Sequence, residues 1–202
     1  MYYSTDKDDH GLPHNPFKAI VAPRPIGWIS TIDAQGRANL APYSFFNAFS
    51  DRPPIVAFSA DASKAGLDEA KDSPTIIRET GEFCVNIVSY ELRDAMNISS
   101  GNYPRGEDEF ELAGLTKGKS NIVAAPYVKE SPAALECKLF EMVDLPGDYT
   151  LVIGRVVGIH IDDRHLKDGM LDVTSYQPMA RLGYRDYSAV KEVFPLNRPG
   201  QR

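Results

Sequence analysis

The segment from Pro23 to Ser59, PRPIGWISTIDAQGRANLAPYSFFNAFSDRPPIVAFS, constrains the fold of this chain more than any other. It sets an apolar β framework around prolines and small polar residues, a combination suited to a barrel gripping a flat ligand with polar edges. Ile26 to Ile32 mixes β-branched and aromatic residues and then breaks at Asp33-Ala34-Gln35-Gly36. That break reads as a hairpin turn, because Gly tolerates positive φ and Asp can cap the turn with its side chain. Beyond Arg37 to Leu40 the chain runs through Ala41-Pro42-Tyr43-Ser44-Phe45-Phe46-Asn47. Hydrogen-bonding groups and aromatic walls thus lie side by side.

A chain of 202 residues can bury one sizeable core, and a single domain over residues 1–202 is expected. Hydrophobic residues at 43% and charged residues at 25% exclude wholesale disorder. A net charge of -6 argues against a nucleic-acid partner, since phosphate binding draws on a surplus of Lys and Arg. Cys84 and Cys137 each sit in an apolar run and are expected as buried free thiols in a reducing compartment. The N-terminal MYYSTDKDDHG lacks the blocks of a signal peptide, and no stretch is long and apolar enough to span a membrane. The cytoplasm is the expected location.

Further strands are expected at Ile55 to Ala60, Phe83 to Ser89, Ala134 to Val143 and Tyr149 to Ile161. In the third of these, Leu135, Cys137, Leu139 and Glu141 alternate with Glu136, Lys138, Phe140 and Met142, so one face is mostly core. Leu145-Pro146-Gly147-Asp148 supplies a turn, and Gly154 and Gly158 suggest bulges or close backbone approach. Ser73 to Gly81 predicts a short helix with Ser73 as N-cap, Pro74 at its first position and Gly81 past its end. A second, amphipathic helix is expected over Tyr90 to Ile98, followed by a long loop from Ser99 to Lys119.

Lys71-Asp72-Ser73 immediately precedes the first helix. Backbone N–H groups, the Ser73 hydroxyl and the Lys71 ammonium would converge there on an anion, unless Ser73 is an ordinary cap beside a surface lysine.

The runs Ala22 to Thr31, Asn39 to Asn47 and Pro53-Pro54 before a strand ending at Ser59 resemble the flavin reductase-like, FMN-binding split-barrel family that includes flavoredoxin. Lys71-Asp72-Ser73, Gly81 to Asn86, Asp108-Glu109-Phe110 with Gly114-Leu115, and Pro178 to Gly183 agree with it in order. The resemblance implies a mostly β fold with short helices, a six-stranded Greek-key split barrel, and a homodimer with one FMN per protomer near the subunit interface. By the same resemblance Ala41, Pro42, Tyr43, Ser44, Phe45, Phe46 and Asn47 lie along the isoalloxazine, while Arg24, Ser59, Lys71, Asp72 and Ser73 hold the ribityl phosphate end. Trp28 is either a further ring contact or barrel core. Apolar walls with donors to the carbonyl edge, and Arg or Lys with backbone N–H groups for the phosphate, are what such a ligand needs.

The chain departs from the family at Thr75 and Ile76, where Arg-Asn is common, so phosphate affinity and the choice of FMN over FAD are less fixed. It also departs at Tyr184, often Gly, which either narrows the entrance or lies on the surface. His10, His14, His160 and His165 lack metal-ligand spacing with the cysteines, and no dinucleotide-binding glycine motif appears. NAD(P)H would then bind transiently as electron donor. The chemistry would take place at flavin N5, with no catalytic side chain. The resemblance implies an NAD(P)H-dependent flavin reductase-like oxidoreductase passing electrons to free flavin, a monooxygenase partner or another acceptor. An FMN electron carrier and a non-redox ligand-binding barrel are the alternatives.

Overall fold

The protein is described by a computed structural model covering residues 1–7, 9–64, 66 and 69–200. Its main sheet contains β1 (Gly27–Ile32), β2 (Ala38–Tyr43), β3 (Phe46–Asp51), β4 (Pro54–Asp61), β5 (Glu82–Asn86), β6 (Ala133–Leu145) and β7 (Tyr149–Ile161). The turn between β1 and β2 forms as the sequence predicts. Asp33 Oδ1 accepts from the N–H groups of Gln35 and Arg37, each at 2.9 Å, and Gly36 adopts φ 80°. Burial opposes the charge, but these bonds and the Arg37 side chain outweigh it and hold the carboxyl pKa below its ordinary value.

The strand order is β2-β1-β5-β6-β7-β4-β3, antiparallel throughout. β2 and β3 are thus the two edges of the sheet, yet only Ser44 and Phe45 separate them in sequence. Two residues span at most about 7 Å, so the sheet must curl until its edges meet. The sheet has seven strands where six were expected. One of them, β3, is an exposed edge paired with β4, and only its first two residues, Phe46 and Asn47, come from the stretch expected to line a ligand.

Gly154 and Gly158 fall at the irregularities predicted for them, with register shifts between Ile153 and Gly154 and between Val156 and Gly158. A Cβ on Gly154 would lie 2.3 Å from Phe83 Cζ, so the missing side chain is what lets β7 bend over the core. β1 is buried on both faces. Trp28 packs outside the barrel wall with Leu40, Met96, Phe110 and Met179, and Ile29 packs with Phe58, Phe83 and Val152. Both cysteines are buried and free.

Three short helices cover the barrel: α1 (Asp72–Thr80), α2 (Arg93–Ile98) and α3 (Glu109–Leu112). α1 ends as predicted on Gly81, at φ 73°, but it starts two residues earlier, with Lys71 as its N-cap and no side-chain cap bond. The second predicted helix divides into a 3-10 turn, Tyr90–Leu92, and α2. The expected strand to Ser89 stops at Asn86, whose buried amide donates to the Trp28 carbonyl and to Ser30 Oγ and accepts from Val128 N. The Ser99 to Lys119 stretch is not all loop, since it holds α3 and the short strand Lys117–Gly118. No helix among the described residues is long and apolar enough to cross a membrane.

Candidate functional site

A cleft of about 640 Å³ opens at the seam where β2 and β3 meet. Its middle is Ser44 and Phe45, the two-residue link, held against β4 by a bond of 2.9 Å from Ser59 N to the Phe45 carbonyl. Arg24 enters from a two-residue strand, Arg24–Pro25, paired with Met179–Arg181, which carries Arg181 to the same side. Lys71, at the start of α1, and Lys18, from the one-turn helix Phe17–Ile20, complete the cationic lining.

Of the residues singled out from sequence, the cleft brings together Arg24, Pro42, Tyr43, Ser44, Phe45, Ser59 and Lys71. The others lie elsewhere, for identifiable reasons. Trp28 is fully buried in the outer core, where its Nε1 donates to Ser99 Oγ at 2.8 Å. Phe46 turns inward against Gly27 and the barrel core. Asn47 is exposed on β3 and spends its Oδ1 on the N–H of Ala48. Ala41 and Asp72 line a smaller cavity behind Tyr43.

Ser73 corrects the anion-site expectation most directly. Being inside α1 and fully buried, its hydroxyl accepts from Asn39 Nδ2 at 2.9 Å rather than facing a ligand. Asp72 also opposes a simple phosphate cradle, because it places a buried carboxylate in the first turn of α1, ion-paired to Lys64 at 2.7 Å. Thr75 returns its hydroxyl to the Lys71 carbonyl and Ile76 is core, so neither departure from the family pattern faces the cleft.

Sequence reasoning missed His14, Asn15, Lys18, Asp61 and Tyr149. Asp61 and Tyr149 are register partners across β4 and β7, so knowing that these strands pair would have found them. Nothing in the local sequence marks the first three. Both readings of Tyr184 hold in part: it lies on the cleft rim, half-exposed, tilted against His14 at 5.7 Å. Its φ of 54° belongs to the left-handed region that glycine enters freely.

The cleft concentrates positive charge in an acidic chain. Lys18, Arg24, Lys71 and Arg181 line it against a single carboxylate, Asp61. Burial and the neighbouring Arg181 both pull the Arg24 pKa down, so an anion here would be stabilised by a guanidinium short of negative partners. Arg24 donates to the carbonyls of Lys18, Val21 and Leu182, leaving its Nε buried with no partner among the described residues. The guanidinium carbon and Lys18 Nζ each stand 5.7 Å from the centroid of the Phe45 ring.

The sequence profile of the flavin reductase like domain matches residues 21–180. The chain belongs to this family. Among its relatives, an uncharacterised protein of Aquifex aeolicus is 38% identical over 169 residues, covering 83% of this chain and 85% of its own. The crystal structure of nitrilotriacetate monooxygenase component B from Bacillus cereus superposes with a TM-score of 0.88 at 31% identity, covering 97% of this chain and 98% of its own. Flavoredoxin of Desulfovibrio vulgaris superposes at 0.76 with 26% identity, over 87% and 91% of the two chains. The fold is therefore the family's split barrel, mostly β with short helices, and the protein is a flavin reductase-like oxidoreductase. In this flavin reductase-like chain aromatic walls and cations coincide in the seam cleft.

Proposed function

We propose that the protein binds FMN in the seam cleft and works as an NAD(P)H-dependent flavin reductase, supplying reducing equivalents to free flavin or to a monooxygenase partner. The observation that carries this reading is the gathering of four cations around Ser44 and Phe45 at the seam of a family split barrel. Bound flavin would supply the hydride and electron transfer. The chain's own residues bind and orient. Arg24, Lys71 and Arg181 suit a phosphate, with Arg24 Nε a buried donor that has no partner among the described residues. Ser44 and Ser59 offer hydroxyls, while Pro42, Tyr43, Phe45 and Tyr149 offer a flat apolar surface for the ring.

The similarity to a monooxygenase component B supports a flavin-consuming partner. The exposed edge strand β3, with Phe49 67% exposed, supports a homodimer. Two buried free cysteines fit a cytoplasmic protein. The similarity to flavoredoxin also supports a second reading, an FMN electron carrier reduced by another protein.

Titrating the purified protein with FMN, FAD and riboflavin, then adding NADH or NADPH anaerobically, tests both. A flavin reductase takes up FMN more tightly than riboflavin and bleaches within seconds of the nucleotide addition. Uptake without bleaching selects the carrier, and no uptake of any flavin rejects both.

A further inference from the structure

Behind Tyr43 lies a second cavity of about 60 Å³, which shares Pro42, Tyr43 and Lys71 with the cleft. Glu109, the first residue of α3, lines it and is only 5% exposed. Its Oε2 accepts from Leu40 N at 2.9 Å, which fixes the carboxyl against β2.

The charged and titratable groups around Glu109 come from every element packed there. On β2 stands Tyr43, itself pushed to higher pKa by burial. On α1 stands Asp72, ion-paired to Lys64 at 2.7 Å and 4.0 Å from Arg105 Nε. Lys71 lies on the shared wall, hydrogen-bonded to Asn102 at 3.4 Å. Asp108 adjoins Glu109 on its own element and is paired to Lys117. The cations here are therefore engaged by other partners or, like Lys71, stand on the wall shared with the cleft. Among the described residues, Glu109 has one backbone donor from outside its own helix, Leu40 N, together with two neighbouring carboxylates. Burial, with Asp72 and Asp108 adding to it, pushes its carboxyl up to about 7.

We propose that Glu109 makes occupancy of the seam cleft proton-linked: its carboxyl takes up a proton from solvent when a phosphate-bearing flavin binds and returns it when that ligand leaves. This rests on the flavin reading of the cleft. The physical reason is charge. A phosphate drawn to Lys71 and its neighbours adds negative potential on the far side of the Tyr43 wall, and the buried carboxylate relieves the repulsion by becoming neutral. Leu40 N–H keeps Oε2 as an acceptor, so the proton sits on the other oxygen. By reciprocity, protonating Glu109 tightens flavin binding by the same factor. Glu109 acts through the wall and does not touch the ligand, so it is a positioning residue for charge.

The test is calorimetric titration of FMN into the wild-type protein and Glu109→Gln at pH 7, each in two buffers of different ionisation enthalpy, which counts protons. Wild type takes up more than the variant by roughly a third to a half of a proton, since a group titrating near 7 is about half ionised there. The phosphate of FMN contributes equally to both. Between pH 6 and pH 8 wild type loses affinity by roughly three- to tenfold more than Glu109→Gln. Equal proton counts overturn the linkage while leaving the flavin site standing. Failure of wild type to bind FMN overturns the flavin reading and the linkage together. An infrared difference spectrum of wild type on adding FMN needs no variant: a gain in the protonated-carboxyl carbonyl band supports the proposal, and no gain overturns it.

Discussion

Arg24 Nη2 donates to the carbonyl of Leu182 at 2.8 Å, joining the chain just before β1 to the segment that follows the last barrel strand by some twenty residues. The same guanidinium serves the carbonyls of Lys18 and Val21. Arg24→Met strands three acceptors at a nearly buried site and is expected to cost about 2–4 kcal/mol of stability. Urea unfolding measures that loss, and FMN titration of the folded fraction should show weaker binding as well.

Arg181 separates the phosphate reading from a purely structural one. Its guanidinium is held by the Tyr184 carbonyl at 2.5 Å and lies 4.4 Å from the Tyr187 ring centroid while lining the cleft. Arg181→Gln should weaken FMN roughly tenfold, a loss of about 1.4 kcal/mol typical of one charge-assisted contact, and leave riboflavin affinity nearly unchanged. An equal loss for both ligands would place Arg181 outside the phosphate subsite.

Trp28 belongs to the core, so Trp28→Phe should spare the cleft. The substitution removes the Nε1 bond to Ser99 and leaves a partial void, costing about 1–3 kcal/mol. FMN affinity, read from flavin absorbance, should stay within about twofold of wild type. A tenfold loss with the fold intact would return Trp28 to the binding site.

Gly154→Ala tests how the barrel bends. The new methyl would meet Phe83 Cζ at 2.3 Å and Cε1 at 2.8 Å, against a ring with no exposure. Overpacking of this kind costs about 1–3 kcal/mol, and the closeness here puts the expected loss at the upper end. Pairing it with Phe83→Leu should recover part of the stability in thermal melts.

Glu136 gives a pH dependence away from the cleft. Its buried carboxylate accepts from the N–H groups of Asn121, Ile122 and Val123 at 2.8, 2.6 and 3.0 Å, with His160 Nε2 at 2.6 Å. Burial opposes the charge, but these bonds outweigh it and hold the pKa below 4.5. A carboxyl lowered on folding contributes stability above its unfolded pKa, and that stability is lost as pH falls through the folded value. Glu136→Gln should therefore cost about 2–4 kcal/mol at pH 7, with the gap to wild type narrowing below pH 4.5 in denaturation curves.

What the sequence determined by itself is local. The Asp33 to Gly36 turn, the Gly81 helix stop, the two irregularities in β7 and the long hairpin of β6 and β7 each follow from φ preferences, side-chain caps and period-two burial within a few residues. The long family motifs also carried the fold. Tertiary structure alone decided which side chains of those motifs reach the cleft. Trp28 was drawn into the outer core and Phe46 against the barrel core because the wall at β1 is packed on both sides, and Ser73 was drawn to Asn39, 34 residues earlier. Lys18, Asp61 and Tyr149 reached the cleft only through pairings between distant segments. Closure of the sheet across Ser44 and Phe45 is a long-range event, and it is what turns a run of aromatic and hydroxyl residues into a cationic seam.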